Sequence, residues 1–201
     1  MPMSKHSDIS VIRPSRGDGR GFFCLLCAVA ILVIAAPPAR AADKTWDGGG
    51  GNNSWTNAAN WDGDTAPVAN DVLIFAGSTR LTNTNNFAAN TQFDGINFTG
   101  DAGAFNLGGS AAINLGGGIT NSSTSLQTFN MSGGYVVTNN INIDPGSGGV
   151  LFTAGKFLST NYSITKIGTG TLFLGQNSDT FKNSFIIAEG VVEVTAASTA
   201  A

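Results

Sequence analysis

Four aspartates between residues 47 and 71 are the side chains in this sequence whose spacing most resembles that of a metal-binding site. Asp62 and Asp64 are separated by one glycine, and Asp47 and Asp71 flank them along the chain. Carboxylates are preferred calcium ligands, but an EF-hand loop would need further acidic residues after the Asp-Gly-Asp sequence, and they are absent. A solvated Asp-Gly turn explains the same residues. A calcium site near Asp62 and Asp64 is therefore left open, and no other metal or cofactor is expected.

Residues suited to catalysis are few. A polysaccharide lyase would need a basic proton acceptor beside its carboxylates, and Arg80 is the only arginine after residue 41. The glycine run 48–51 is not followed by Lys-Ser or Lys-Thr, so it does not match a phosphate-binding loop. We therefore predict that the protein is not an enzyme and has no catalytic residue. A polysaccharide-binding or polysaccharide-cleaving protein is the remotest alternative.

The segment 1–41 predicts a cleaved export signal. A basic lead precedes an apolar and small-residue run at 22–36, two prolines break that run, and Ala39-Arg40-Ala41 supplies the small-x-small pattern that a signal peptidase recognises. The run is shorter than the roughly 20 apolar residues that span a bilayer, so cleavage after Ala41 is favoured over a membrane anchor. We expect an exported bacterial protein, extracellular or associated with the outer membrane at the cell surface, without a stable membrane span after cleavage.

Cleavage at this point would also remove most of the reactive side chains. Cys24, Cys27 and His6 all precede Ala41, so the mature part that follows contains no thiol and no imidazole. Disulfides, zinc sites of the Cys/His kind and His-based proton transfer are thereby excluded from the mature part. Its eleven acidic and five basic residues give a net charge of −6. That charge argues against nucleic acid or an anionic membrane surface as a partner.

The three tryptophans all lie in the Gly- and Asn-rich segment 42–70. Trp46, Trp55 and Trp61 fall within sixteen positions of one another. One interpretation is that they form an N-terminal cap, because a repeat fold needs its first coil covered. The other is an exposed aromatic surface that binds sugars. The first is favoured, and both are kept.

Short strands opened by glycine recur at a nearly fixed step. Residues 149–153 match 170–174 and 190–194 at steps of 21 and 20, and residues 134–143 match 155–164 at a step of 21. Two strand positions in a period of about 20 residues favour a parallel β-helix over a β-sandwich. No 3.6-residue periodicity is present, so we predict almost no helix, and the mature length corresponds to six to eight turns.

The same steps predict which side chains face outward. If Glu193 faces water, the alternation of side chains along a strand turns Leu151 and Leu172 inward and stacks Phe152, Phe173 and Glu193 on an outer face. Two exposed phenyl rings would offer a contact surface for a carbohydrate or for another chain. A β-bulge that shifts one register would instead place the rings in the core, and this alternative is left open.

Two stretches of the sequence resemble a known family. The sequences K-I-G-T-G-T-L-F-L-G-Q-N (166–177) and A-E-G-V-V-E-V (188–194) are similar to the autotransporter-associated β-strand repeat, also called the passenger-associated transport repeat, with one copy at 164–194. Asn183 stands where the family usually has glycine, and the last strand reads G-V-V rather than G-T-L. The Trp-rich opening at 46–63 resembles the start of large secreted proteins that carry these repeats. The resemblance implies a right-handed parallel β-helix displayed outside the cell.

These observations combine into one expected organisation. We predict an all-β, right-handed parallel β-helix at 71–195, preceded by a signal peptide at 1–41 and a cap segment at 42–70, and followed by a low-complexity tail at 196–201. The expected function is that of an autotransporter passenger-like or adhesin-like surface protein, in a truncated form or as the N-terminal piece of a longer passenger. A purely structural stalk or spacer is the alternative. Expected partners are a polysaccharide or a cell-surface protein, together with self-association through an open end of the β-helix.

Overall fold

The computed structural model describes residues 41–175 and 180–195, and these residues form a β-solenoid. Most of the predicted signal peptide and the predicted tail at 196–201 lie outside the described residues. The strands are β1 (Asp43–Trp46), β2 (Val72–Phe75), β3 (Thr82–Thr84), β4 (Thr91–Phe93), β5 (Gly95–Phe98), β6 (Asn106–Gly109), β7 (Ile113–Leu115), β8 (Ile119–Asn121), β9 (Gln127–Met131), β10 (Tyr135–Val137), β11 (Ile141–Asp144), β12 (Val150–Ala154), β13 (Phe157–Ser159), β14 (Ile164–Lys166), β15 (Thr171–Leu174), β16 (Thr180–Phe181), β17 (Phe185–Ile187) and β18 (Val191–Val194).

The strands form three parallel sheets, which are the three faces of the solenoid. Sheet 1 has the order β1-β2-β5-β8-β11-β14-β17, sheet 2 the order β3-β6-β9-β12-β15-β18, and sheet 3 the order β4-β7-β10-β13-β16. The chain visits the sheets in the same order in each turn, so β2 to β16 make five complete turns. The predicted parallel β-helix is confirmed, and its right-handed winding stays a prediction.

The interior is built by period-two alternation on each face. In sheet 1, Leu73, Ile96, Ile119 and Ile143 pair through successive rungs and are all fully buried. Burying apolar side chains contributes roughly 1.5–3 kcal/mol each, which makes these stacked columns the main stabilising element of the tube.

Aromatic rings run through the interior from the first turn to the last. Phe129 stacks on Phe152 with ring centroids 4.7 Å apart, and Phe152 contacts Phe157 edge-on at 4.6 Å. The contacts continue toward the C-terminal end through Phe181, whose ring centroid lies 5.0 Å from that of Phe185. Offset and edge-on ring pairs add about 0.5–1.5 kcal/mol beyond the area they bury.

Each turn holds three strands rather than the predicted two, and most turns are longer than the predicted step. Tyr135 pairs with Phe157 and Ile141 with Ile164, steps of 22 and 23 residues where 21 was predicted. Val150 pairs with Leu172, a step one residue longer than the glycine spacing predicts, whereas the step from Leu172 to its partner Val192 has the predicted length. The third strand of each turn, in sheet 3, is very short, too short to show a periodicity in the sequence. Because the turns are longer than predicted, the described residues form five complete turns where six to eight were predicted.

Glycine makes the corners compact. Gly170 follows the corner between sheets 1 and 2, and a Cβ atom there would overlap the carbonyl oxygen of Gly146 in the preceding turn. Because no side chain fits in that space, the two corners can stack directly only when this residue is glycine.

Candidate functional site

One row of side chains points outward along sheet 2 and is the candidate contact surface. Its members pair rung by rung, and we call them the outer column: Thr82, Asn106, Thr128, Leu151, Phe173 and Glu193. Leu151 and Phe173 are half-buried, whereas Thr82 and Glu193 at the two ends are exposed. Neighbouring rungs of a parallel sheet lie about 4.8 Å apart, so adjacent members of the column are within contact distance.

A small apolar patch forms around Gly149, which lies beside this column just before β12. A Cβ atom on Gly149 would lie 3.1 Å from Cδ1 of Leu126 and 3.3 Å from Cε2 of Phe173, so both side chains lean over the glycine. Gly149 has a φ of +85°, a conformation that side chains rarely adopt. Together with Leu151, these two residues form what we call the apolar patch: Leu126, Leu151 and Phe173.

The prediction that Phe152 is exposed is wrong. Its side chain is 1% exposed, and its ring lies 4.7 Å from Phe129 and 4.9 Å from Tyr135 between centroids. Leu151, predicted to be inward, occupies the outward position instead, whereas Phe173 and Glu193 do lie in the outer column. The physical reason is the longer turn before Leu172, because a shift of one residue moves every side chain of a strand to the opposite face.

The tryptophans do not form a surface. Trp46, Trp55 and Trp61 are all 0% exposed and pack around Phe75, with ring centroids 5.7 to 6.2 Å from it. Their indole N–H groups donate to Thr79 O, to Asn83 Oδ1 and to Trp55 O, respectively. The alternative of an exposed aromatic sugar-binding surface is therefore wrong, and the rings fill the interior of the first turn.

The aspartates do not converge. Asp62 and Asp64 are exposed in a 3₁₀ turn, and the side chain of Asp47 accepts a hydrogen bond from the amide of Gly49 nearby in the chain. Among the residues that the structure describes, no three His, Cys, Asp or Glu side chains lie close enough to hold a metal ion. Arg80 donates to the carbonyl oxygen of Gly48 at 2.8 Å, so its guanidinium ties two loops of the first turns together.

A buried lysine is the polar residue that the sequence analysis missed. Lys166 occupies the interior column that Ile143 occupies one turn earlier, and it is 0% exposed. Its ammonium donates to the backbone carbonyls of Ile167, Gly168 and Glu189. Burial lowers the pKa of Lys166, while the charges of Asp144 and Glu189 oppose this shift. The alternation in Ile164-Thr165-Lys166 could have revealed that the lysine points inward.

Comparison with known proteins identifies no relative of this chain. No family model matches the chain, and no curated protein or solved structure matches it significantly. Within the described residues, no helix has the length and apolar character needed to cross a membrane. The shape and chemistry of the outer faces are therefore the basis on which a function can be proposed.

Proposed function

We propose that this chain is a non-enzymatic β-solenoid segment of an exported surface protein, of the autotransporter-passenger or adhesin type. The observation that carries the proposal is the outer column with its apolar patch, which presents half-buried Leu151 and Phe173 on the outer face of sheet 2. The resemblance at 164–194 and the export signal predicted at 1–41 support the same function.

A contact role fits the chemistry of this face. The upper part of the outer column carries only hydroxyl and amide side chains, at Thr82, Asn106 and Thr128, and its lower part carries the apolar patch and Glu193. Hydroxyl and amide groups hydrogen-bond sugar hydroxyls, and a phenyl ring packs against the apolar face of a pyranose. A neutral polysaccharide is the partner that this combination suits best, since the net charge of −6 on the part after residue 41 repels polyanions.

Export is tested by expressing the full chain in a Gram-negative host and locating it by cell fractionation. We expect the chain outside the cytoplasm with its N-terminal segment removed. A matched variant, Leu32→Arg, interrupts the apolar run and should hold the protein in the cytoplasm. Cytoplasmic localisation of the unmodified chain would contradict the proposal.

Contact is tested by the retention of purified protein on dextran and on cellulose. Phe173→Ser is expected to reduce retention at least threefold, because it removes the ring of the apolar patch. Thr128→Ser in the same outer column keeps the hydroxyl group and should leave retention unchanged. Equal retention of all three proteins would show that the outer column is not the contact surface.

A stalk or spacer is the second candidate, and the last turn favours it. Ile187 and Val194 occupy interior columns of the solenoid but are 55% and 64% exposed. A further coil in the same register would cover them, as each turn of a solenoid covers its neighbour. A protein that binds neither polysaccharide yet reaches the cell surface would favour this second function.

A further inference from the structure

A buried carboxylate lies beside the first strand. Asp71 is 1% exposed, and both of its oxygens accept hydrogen bonds from backbone amides: Oδ1 from Ala42 and Oδ2 from Val68, each at 2.9 Å. Both of these donors are uncharged amides. Burying an ionised carboxylate costs free energy that a cationic donor offsets far better than a neutral one.

The backbone nitrogen of Ala42 belongs to the peptide bond between Ala41 and Ala42, where the signal peptide is predicted to be cleaved. Ala41 and Ala42 are both exposed, and β1 begins at the next residue, Asp43. Ala42 also accepts a hydrogen bond through its carbonyl from the amide of Val72 at 2.9 Å. Residue 42 is thus held by β2 through its carbonyl and by Asp71 through its nitrogen.

We propose that cleavage after Ala41 creates an α-ammonium group on Ala42 that forms an ion pair with the buried carboxylate of Asp71. In this way, removal of the signal peptide fastens the first strand to the solenoid. Hydrolysis consumes one water molecule and breaks the C–N bond between Ala41 and Ala42. The oxygen of the water joins the acyl carbon, which leaves as the carboxylate of Ala41, and the nitrogen keeps the electron pair of the broken bond and takes up both protons of the water. A neutral N–H···O⁻ contact becomes a charged one at the same position.

This inference rests on the export signal of the proposed function, and it gives the cleavage position a structural role. A cut further upstream would leave an amide at Ala42 and place the new ammonium away from Asp71. A cut further downstream would remove the residue whose carbonyl pairs with Val72. Only cleavage between Ala41 and Ala42 leaves β1 complete and supplies a cation to Asp71.

The test compares purified proteins with defined N-termini. One begins at Ala42, released from a fusion without extra residues, and the other begins at Ala39, so that residue 42 keeps an amide. We expect a melting temperature about 5 °C higher for the protein that begins at Ala42, within the range that a charged hydrogen bond gives in a chain of this size. In the Asp71→Asn background the same trimming should change the melting temperature by less than about 1 °C. Equal effects of trimming in both backgrounds would overturn the proposal.

A second comparison remains decisive if Asp71→Asn does not fold. The α-amine of the protein that begins at Ala42 is acetylated selectively near pH 7 in the unfolded state, where its ordinary pKa of about 8 separates it from the lysines, and the protein is then refolded. Acetylation should lower the melting temperature to that of the Ala39 protein, and an unchanged value would contradict the ion pair. N-terminal sequencing of the exported protein completes the test: a start at Ala42 supports the proposal, and a start elsewhere overturns it even if export itself is found. Because the melting experiments use purified protein, their result does not depend on export.

Discussion

The first turn of the solenoid buries its large apolar side chains completely, whereas the last turn, which is formed by β17 and β18, leaves them partly exposed. In the first turn, Trp46, Trp55 and Trp61 are completely buried, and each indole N–H has a hydrogen-bond acceptor. In the last turn, Phe185 is only half-buried and Val194 is 64% exposed although it lies in an interior column.

The difference shows that inward orientation alone does not bury a side chain in a solenoid. Trp61 is buried because Trp46 and Phe75 surround it, with ring centroids 5.2 and 6.0 Å away. Val194 points in the same direction as Phe152 two turns earlier, but β18 is the last rung of sheet 2 among the described residues. Burial therefore depends on a neighbouring turn, and the stability of the chain should be distributed unevenly between its two ends.

The largest effect is expected from removing a ring in the first turn. Trp61→Ala should destabilise the protein by about 4 kcal/mol, because it deletes a fully buried indole and leaves a cavity. Phe185→Ala, the matched change in the last turn, should cost about 1 kcal/mol, since that ring is partly exposed and contacts Phe181 on one side. Urea unfolding followed by tryptophan fluorescence or circular dichroism measures both values, and similar losses would abolish the distinction between the two ends.

Lys166 is buried one rung before Ile187, which occupies the same interior column but is exposed. Lys166→Met should cost about 2 kcal/mol at neutral pH, because three backbone carbonyls lose their donor. The wild-type protein should also become more stable as pH rises toward about 10.4, the pKa of an unfolded lysine. Burial lowers the pKa in the folded state, so between the two pKa values the unfolded chain binds more protons.

Unfolding experiments from about pH 7 to pH 10.5 test this linkage. The increase in stability should disappear in Lys166→Met, and Lys182→Met, which replaces an exposed lysine, should retain it. An identical pH dependence in both variants would contradict the assignment of the increase to Lys166.

A smaller effect is expected from the polar partner of a first-turn indole. Asn83 is 1% exposed, and its Oδ1 accepts the indole N–H of Trp55 at 2.7 Å. Asn83→Ala should therefore cost about 1.5 kcal/mol by leaving a buried donor unpaired. Asn86→Ala removes an exposed asparagine that hydrogen-bonds Thr56, and it should cost less than about 0.5 kcal/mol. Thermal unfolding of the two variants gives the comparison, and a reversed order would contradict it.

The smallest change in stability is expected from a substitution in the last turn that weakens self-association of the chain. We expect the isolated chain to self-associate through its last turn, because Ile187 and Val194 expose apolar surface on β17 and β18, the end strands of their sheets among the described residues. Val194→Lys should shift the protein toward monomer with less than about 0.5 kcal/mol of destabilisation. Val68→Lys, at a similarly exposed valine before β2, should not change association. Sedimentation velocity distinguishes the two, and a monomeric wild-type protein at high concentration would contradict this role for the last turn.

Local patterns in the sequence were sufficient to predict the type of fold. Glycine at the start of strands, apolar alternation as in Ile141-Asn142-Ile143, and a step of about 20 residues indicate stacked parallel rungs without any knowledge of contacts. They did not separate the three faces. The repeat element at 134–143 contains two strands, β10 and β11, because a corner at 138–140 directs the chain onto the next sheet.

The candidate site could be predicted only in part. Glu193 is charged, so its side chain is predicted to point outward. The outward position of Phe173 follows from that of Glu193, because the turn between them has the predicted length. Phe152 could not be placed in this way, since the turn that precedes Leu172 contains one residue more than the glycine spacing suggests. Its burial is decided by the rings of Phe129 and Phe157, which pack against it.

By itself, then, the sequence determined that the chain coils, roughly how long each coil is, and that the part after Ala41 lacks thiol and imidazole chemistry. Only the tertiary structure decided that Phe152 faces the interior, that the tryptophans lie inside and that Lys166 is fully buried between the isoleucines of the neighbouring turns. The physical reason is that a strand's side chains alternate every residue while corner lengths vary from turn to turn. Which side chains of a strand face the interior is therefore set by the neighbouring turns against which the strand packs.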